Sequence, residues 1–258
     1  MTQFFNTLAQ RILGSWARRM PPGSPSKRFL VDAALWHLED VAYARLKENG
    51  FRPGCVIDVG AHEGKWTIST KNIFFEAPFI MFEARDEMRG ELERVASSYP
   101  NVQFYVALLG PKESPGETFF RGQGSGSSRY RERSDAQMTS TEVPMTTLDK
   151  VLPATLTGPL FLKLDVQGGE LDVLRGAKGT LAKTEVVQLE VALLPYNEGA
   201  PTASEVVTFM DEQGFTIYDI AGFVRPNKKD LAQIDVIFVR KESNLRPDRF
   251  HFADPRTT

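Results

Sequence analysis

A chain of 258 residues, 41% apolar and 25% charged, is long enough to bury one sizeable core and falls in the range of a single α/β domain with appendages. A net charge of −2 without a long run of like charge gives no signal for nucleic acid, and no stretch of about 18 uninterrupted apolar residues is present to cross a membrane. The single cysteine, Cys55, cannot form an internal disulfide and reads as a small buried hydrophobe, which fits a reducing cytoplasm.

Residues 1–20, MTQFFNTLAQRILGSWARRM, place Phe5, Leu8, Ile12 and Trp16 on one helical face with Arg11 and Arg18 beside it. Arg11 interrupts the apolar run a signal peptide would need, and no small-residue cleavage site follows. Such an amphipathic helix can pack on the protein's own body, on a second copy of the chain, or on an anionic membrane surface. PPGSP at 21–25 breaks it, and a second helix over about 26–49 stops at Asn49 and Gly50. The expected division is an N-terminal helical extension over 1–50, a main domain over 51–242 and a tail over 243–258.

From Cys55 the pattern alternates between apolar strands and amphipathic helices. CVIDV, FIMFEA and VQFYVALL read as strands separated by the helices KWTISTKNIFFE and DEMRGELERVASS, which is βαβαβ and implies a parallel sheet. PLFLKLDV and EVVQLEVALL follow as strands around the helix GGELDVLRGAKGTLAK. After the helix ASEVVTFMDEQG, the strands FTIYDIAG and IDVIFVRK have no helix between them and should pair antiparallel. Residues 110–147, rich in Gly, Ser, Thr and Arg, predict a hairpin and a loop over the active face.

VIDVGAHEGKWT, residues 56–67, is the turn that carries chemistry. A phosphate-gripping loop needs GxxxxGK[ST] and a dinucleotide fingerprint needs GxGxxG; Gly60, Ala61, His62, Glu63, Gly64, Lys65 and Trp66 satisfy neither. Asp58, two residues before the turn, would repel a pyrophosphate but attract a sulfonium or an amine. Glu83 closes the second strand, where a carboxylate can accept both hydroxyls of a ribose. The ligand so described is a phosphate-free nucleoside with positive charge, and S-adenosylmethionine fits.

These residues, with VPMTTLDKVL at 143–152 and above all FLKLDVQGGELDVLRGA at 161–177, resemble the FkbM family of S-adenosylmethionine-dependent methyltransferases over about residues 54–241. The resemblance implies an α/β, class I (Rossmann-like) methyltransferase fold: a seven-stranded, mostly parallel sheet with an antiparallel last strand, here with N-terminal helices added. It implies methyl transfer to a hydroxyl oxygen of a sugar, polyketide or other natural product. It places Asp58, Gly60 and Gly64 around the methionine part with Ala61 and His62 alongside, Glu83 and Ala84 at the ribose, Ala107 and Leu108 at the adenine, and Asp165 near the methyl and the acceptor. The chain departs from the family pattern at His62, where Asn is usual, and at Gln167, where DVEG would have Glu.

Moving a methyl group to an alcohol requires positioning and removal of the hydroxyl proton. Asp165 and Glu190 end neighbouring strands and offer a general base or two oxygen ligands for a divalent cation, with the base favoured. Their bland readings are a helix cap at 168 for Asp165 and an ion pair with Lys163 for Glu190. His62 is a third candidate for proton transfer. Arg121, Arg129, Arg131 and Arg133 read as a solvated loop or as a lid over an anionic group, and Tyr218, Phe223 and Arg225, around the last hairpin, as walls of an acceptor pocket or equally as core and turn residues. Gln167 and the amphipathic N-terminus also suit a non-catalytic, partner-binding protein on the same fold, whereas Asp58 and the missing GxGxxG disfavour a nicotinamide oxidoreductase.

Overall fold

The computed structural model describes residues 16, 19–21, 23–27, 38–122, 126–133, 138–226 and 229–246. It divides into two units, residues 1–38 and 39–258. In the first, Trp16 and Arg19 are helical and exposed and Pro25–Lys27 form a helical turn. Phe5, Leu8 and Ile12 of the predicted amphipathic face, residues 28–37 of the second predicted helix and residues 247–258 of the tail lie outside the described residues.

Helix α1 (Leu38–Glu48) leads into the larger unit, which then runs β1 (Cys55–Val59), α2 (Lys65–Lys71), β2 (Phe79–Glu83), α3 (Arg89–Ser98) and β3 (Val102–Val106). An inserted part follows: β4 (Leu108–Leu109), β5 (Ser114–Arg121) and β6 (Thr139–Thr146), closed by α4 (Leu148–Val151). The second half is β7 (Leu160–Leu164), α5 (Glu170–Arg175), α6 (Lys178–Ala182), β8 (Thr184–Ala192), α7 (Ala203–Glu212), β9 (Phe215–Val224) and β10 (Gln233–Arg240). Seven strands form one sheet in the order β3-β2-β1-β7-β8-β10-β9. β10 is antiparallel to both its neighbours, and the pairs from β3 to β8 are parallel. The expected seven-stranded sheet with one antiparallel strand is therefore the observed one.

Every residue of β1, β2 and β7 is buried, as strands covered on both faces require. Period-two alternation sends Ile57, Leu162 and Phe238 to one face with Leu171 and Leu174, and Val56, Phe161 and Ile237 to the other with Tyr43 and Leu46 of α1. The rings of Tyr43 and Phe161 meet edge to face at 5.5 Å between centroids. Tyr43 and Leu46 thus pack within the same unit as the sheet. Leu245, in the predicted tail, is buried in the same cluster.

Three elements differ from their sequence pattern. VQFYVALL breaks at Ala107, whose N–H donates to the carbonyl of Glu83 at 2.8 Å; β3 stays in the main sheet, and β4 joins β6 and β5 in a separate three-stranded sheet. The predicted hairpin of 110–147 is β5–β6. The helix expected over 168–183 divides after Arg175 at Gly176, where a Cβ would stand 2.1 Å from the carbonyl oxygen of Gly110 and only glycine allows the backbone so close. KWTISTKNIFFE is helical only to Lys71, whose ammonium then binds the carbonyls of Phe75 and Ala77. Among the described residues no helix is long and apolar enough to cross a membrane.

Candidate cofactor cleft and acceptor cavity

The β1–α2 turn is shaped by its own backbone. Gly60 has φ 81°, and a Cβ there would lie 1.9 Å from the carbonyl oxygen of Asp165, so the ends of β1 and β7 pass in backbone contact. Gly64 has φ 74° and faces Val95 of α3. His62 also takes a left-handed conformation, φ 50°, which turns its N–H onto Glu83 Oε2 at 2.8 Å. Asp58, expected to face the methionine end of the cofactor, lies beneath this turn with 0% exposure. Its Oδ2 accepts from Thr67 Oγ1 at 2.8 Å and its Oδ1 from Lys163 Nζ at 3.1 Å, so both oxygens are engaged inside the protein.

Above the turn a cleft opens at the C-terminal ends of β1, β2 and β7. Of the expected cofactor residues, Gly60, His62, Glu83, Ala84, Ala107, Leu108 and Asp165 line it; Asp58, Ala61 and Gly64 do not. Phe82, Leu109 and Phe119 add apolar wall, and Ser127 and Arg129 reach in from the inserted part. Glu83 Oε1 accepts the N–H of Arg85 at 3.0 Å, so each of its oxygens has used one lone pair on backbone and keeps another for the cleft. The two arginines on the wall are turned to the protein's own carboxylates: Arg85 to Glu87, and Arg129 to Glu117 and Asp172. An apolar slot, a carboxylate positioned for a vicinal diol and cations engaged elsewhere fit S-adenosylmethionine and offer no grip for a pyrophosphate.

Asp165 also lines a second cavity, with Glu39, Trp66, Lys163, Gln167, Gln188, Glu190, Gln233 and Asp235. Gln167 Nε2 donates to Asp165 Oδ1 at 2.9 Å and to both oxygens of Glu190 at 3.1 Å. Gln233 Nε2 reaches Glu190 Oε2 at 2.6 Å and the Tyr196 hydroxyl reaches Oε1 at 3.0 Å. Burial, with Asp165, Glu170 and Asp235 nearby, pushes the Glu190 carboxyl well above the usual range, against the stabilising pull of those donors on its ionised form. Asp235 is raised to about 7 by burial and then by Asp165 and Glu39. Both bland readings fail. Lys163 pairs with Asp58 and, at 3.5 Å, with Asp165 rather than with Glu190. The turn before α5 is capped by Glu170, whose Oε1 accepts the N–H groups of Val166 and Gly168, and not by Asp165. Among the described residues no group of three or more His, Cys, Asp or Glu side chains is placed to hold a metal ion.

Of the other candidates, Tyr218 stands away from both cavities, its hydroxyl accepting from Asn49 Nδ2 at 2.7 Å. The arginine cluster does not converge: Arg121 pairs with Glu87, Arg129 with Glu117 and Asp172, and Arg131 and Arg133 are exposed. Phe223 and Arg225 line neither cavity, whereas their neighbour Val224 lines the second. Cys55 is buried, which raises its thiol to about 12 and leaves it inert. Sequence reasoning missed Glu39, Trp66, Gln188, Gln233 and Asp235; only Asp235, an acid inside the apolar run IDVIFV, carried a visible signal.

No curated protein matches the chain in sequence. Solved structures similar to it include a precorrin-6y C5,15-methyltransferase from Geobacter metallireducens, 16% identical, covering 79% of this chain and 88% of that one with a TM-score of 0.44. A magnesium protoporphyrin IX methyltransferase from Synechocystis with bound S-adenosylhomocysteine is 14% identical, covering 78% and 80% with a TM-score of 0.46. An S-adenosylmethionine-dependent methyltransferase from Aquifex aeolicus is 15% identical, covering 84% and 98% with a TM-score of 0.42. The model of the FkbM methyltransferase domain matches residues 58–217, which takes in the β1–α2 turn, Glu83, the inserted sheet, Asp165 and Glu190. The chain belongs to the FkbM family of S-adenosylmethionine-dependent methyltransferases.

Proposed function

We propose that this methyltransferase acts on a hydroxyl oxygen of a small polar acceptor, a sugar or another hydroxylated natural product, bound in the cavity beyond Asp165. The observation that carries this reading is that Asp165 lines both cavities, at the border where a methyl donor and an acceptor would meet. The cofactor supplies a methyl group activated on a sulfonium. The protein supplies the rest: Glu83 orients the ribose, Phe82, Leu108 and Phe119 exclude water from the cleft, and a carboxylate oxygen of Asp165 takes the acceptor's proton. Four acidic side chains, Glu39, Asp165, Glu190 and Asp235, accompany one lysine in this cavity, and the amides of Gln167, Gln188 and Gln233 are bonded to these acids. This composition supports a neutral or positively charged acceptor over an anionic one.

The test is a screen of sugars and hydroxylated natural products with S-adenosylmethionine labelled in the methyl group. The expected product carries a new methyl ether, and Asp165→Asn lowers the rate by about 10²-fold or more, the usual contribution of general base catalysis, while S-adenosylhomocysteine still binds. Methylation at nitrogen, or an unimpaired Asp165→Asn variant, contradicts the reading.

A further inference from the structure

We propose that Gln167 is a positioning residue whose side-chain amide bridges Asp165 and Glu190 in the place a divalent cation would take, so that the pair is aligned by the protein alone. The inference rests on the reading of Asp165 as the base, and it gives a reason for the amide that stands where the family pattern has a carboxylate.

The geometry is specific. The amide nitrogen lies 2.9 Å from Asp165 Oδ1 and 3.1 Å from each oxygen of Glu190, so its N–H groups span the two carboxylates. The N–H end of the amide faces the two acids, where its oxygen end would set a further acceptor against Asp165 Oδ1 and both oxygens of Glu190. Gln167 reaches this position through a left-handed backbone, φ 56°, that a β-carbon disfavours. Its carbonyl is fixed by Ser128 Oγ at 2.7 Å and Asn197 Nδ2 at 2.8 Å. The next residue, Gly168, has φ 97°, and a Cβ there would press to 2.7 Å from the Cβ of Ala200. Two separate segments, residues 126–133 and the loop holding Asn197 and Ala200, therefore hold one uncommon turn, and its outcome is an N–H₂ group between two acids. A cation drawn to Asp165 and Glu190 would have to displace that group, and a carboxamide turns only one weak ligand atom to a hard metal ion.

Manganese(II) alone, added to the full chain and followed by electron paramagnetic resonance, tests this. The wild-type chain is expected to hold no Mn²⁺ at Asp165. Gln167→Glu removes the donors and adds a third carboxylate; it should bind Mn²⁺ at least about tenfold more tightly than the wild type, and lose that gain when combined with Asp165→Asn. Gln167→Ala, which only removes the bridge, should show a smaller gain in the same direction, and it is read instead if Gln167→Glu no longer binds S-adenosylhomocysteine. A wild-type Mn²⁺ signal abolished by Asp165→Asn overturns the proposal. So does a folded variant at 167 that gains no Mn²⁺. A general loosening of the structure would create no metal site, and failure of the base assignment would show instead as an active Asp165→Asn variant.

Discussion

Lys163 of β7 and Asp58 of β1 stand side by side in the parallel register and form an ion pair of 3.1 Å inside the sheet, with side-chain exposures of 6% and 0%. Burial works against the lysine's charge, but Asp58 and Asp165 outweigh it and hold its pKa above the ordinary lysine value. The acid of the glycine turn thus anchors the turn to the sheet: through Lys163 it also touches Asp165, so the turn and the end of β7 share one ammonium group.

Removing Asp58 should therefore act on stability first. Asp58→Ala leaves Lys163 buried with Asp165 as its remaining carboxylate partner and strips Thr67 of its acceptor. Breaking a buried pair from one side costs about 3–5 kcal/mol. Urea denaturation is expected to show a loss of this size, and a variant as stable as the wild type would contradict the buried pair.

The arginines separate by burial. Arg129 joins Glu117 and Asp172, and the Tyr130 hydroxyl also donates to Asp172, so Arg129→Gln should lower stability by about 1–3 kcal/mol. Arg131→Gln together with Arg133→Gln, both exposed, should stay within about 0.5 kcal/mol of the wild type. Thermal unfolding distinguishes the two, and equal losses would show that the 126–133 segment is not held by Arg129.

Glu170 sets a pH dependence. Burial raises its carboxyl from 4.5 to about 7 even though it accepts the N–H groups of Val166 and Gly168. The folded chain therefore binds a proton that the unfolded chain releases near 4.5. That contribution is complete below the unfolded value and is lost as pH rises through about 7. Asp235, raised to about 7, and Glu190 act in the same direction. The melting temperature should fall from about pH 5 to pH 8. Glu170→Gln keeps an acceptor for the two N–H groups without the titration, so its decline should be shallower; an identical slope would remove Glu170 as a cause.

Those groups also show where the sequence was readable. β1, β2 and β7 are legible because burial on both faces makes their residues continuously apolar, and Glu83 stood out as an acid closing such a run. The fate of Asp58 was not legible, because the ammonium that claims it lies 105 residues away and is a neighbour only once β1 and β7 pair. Trp66, Glu39 and Asp235 reach the second cavity from α2, α1 and β10, elements whose proximity depends on the order of the sheet. The break at Ala107 was hidden because VALL is apolar throughout, whichever sheet it joins.

The central claim is that the slot beside Glu83 receives S-adenosylmethionine. Titration calorimetry of the full chain with S-adenosylmethionine, S-adenosylhomocysteine and NAD, repeated for Glu83→Ala, tests it most directly. Glu83→Ala removes the carboxylate that lines the slot and should weaken binding of both adenosyl ligands by about 1–3 kcal/mol, with NAD giving no heat in either protein. Wild-type affinity in the variant, or a preference for NAD over S-adenosylmethionine, would contradict the account.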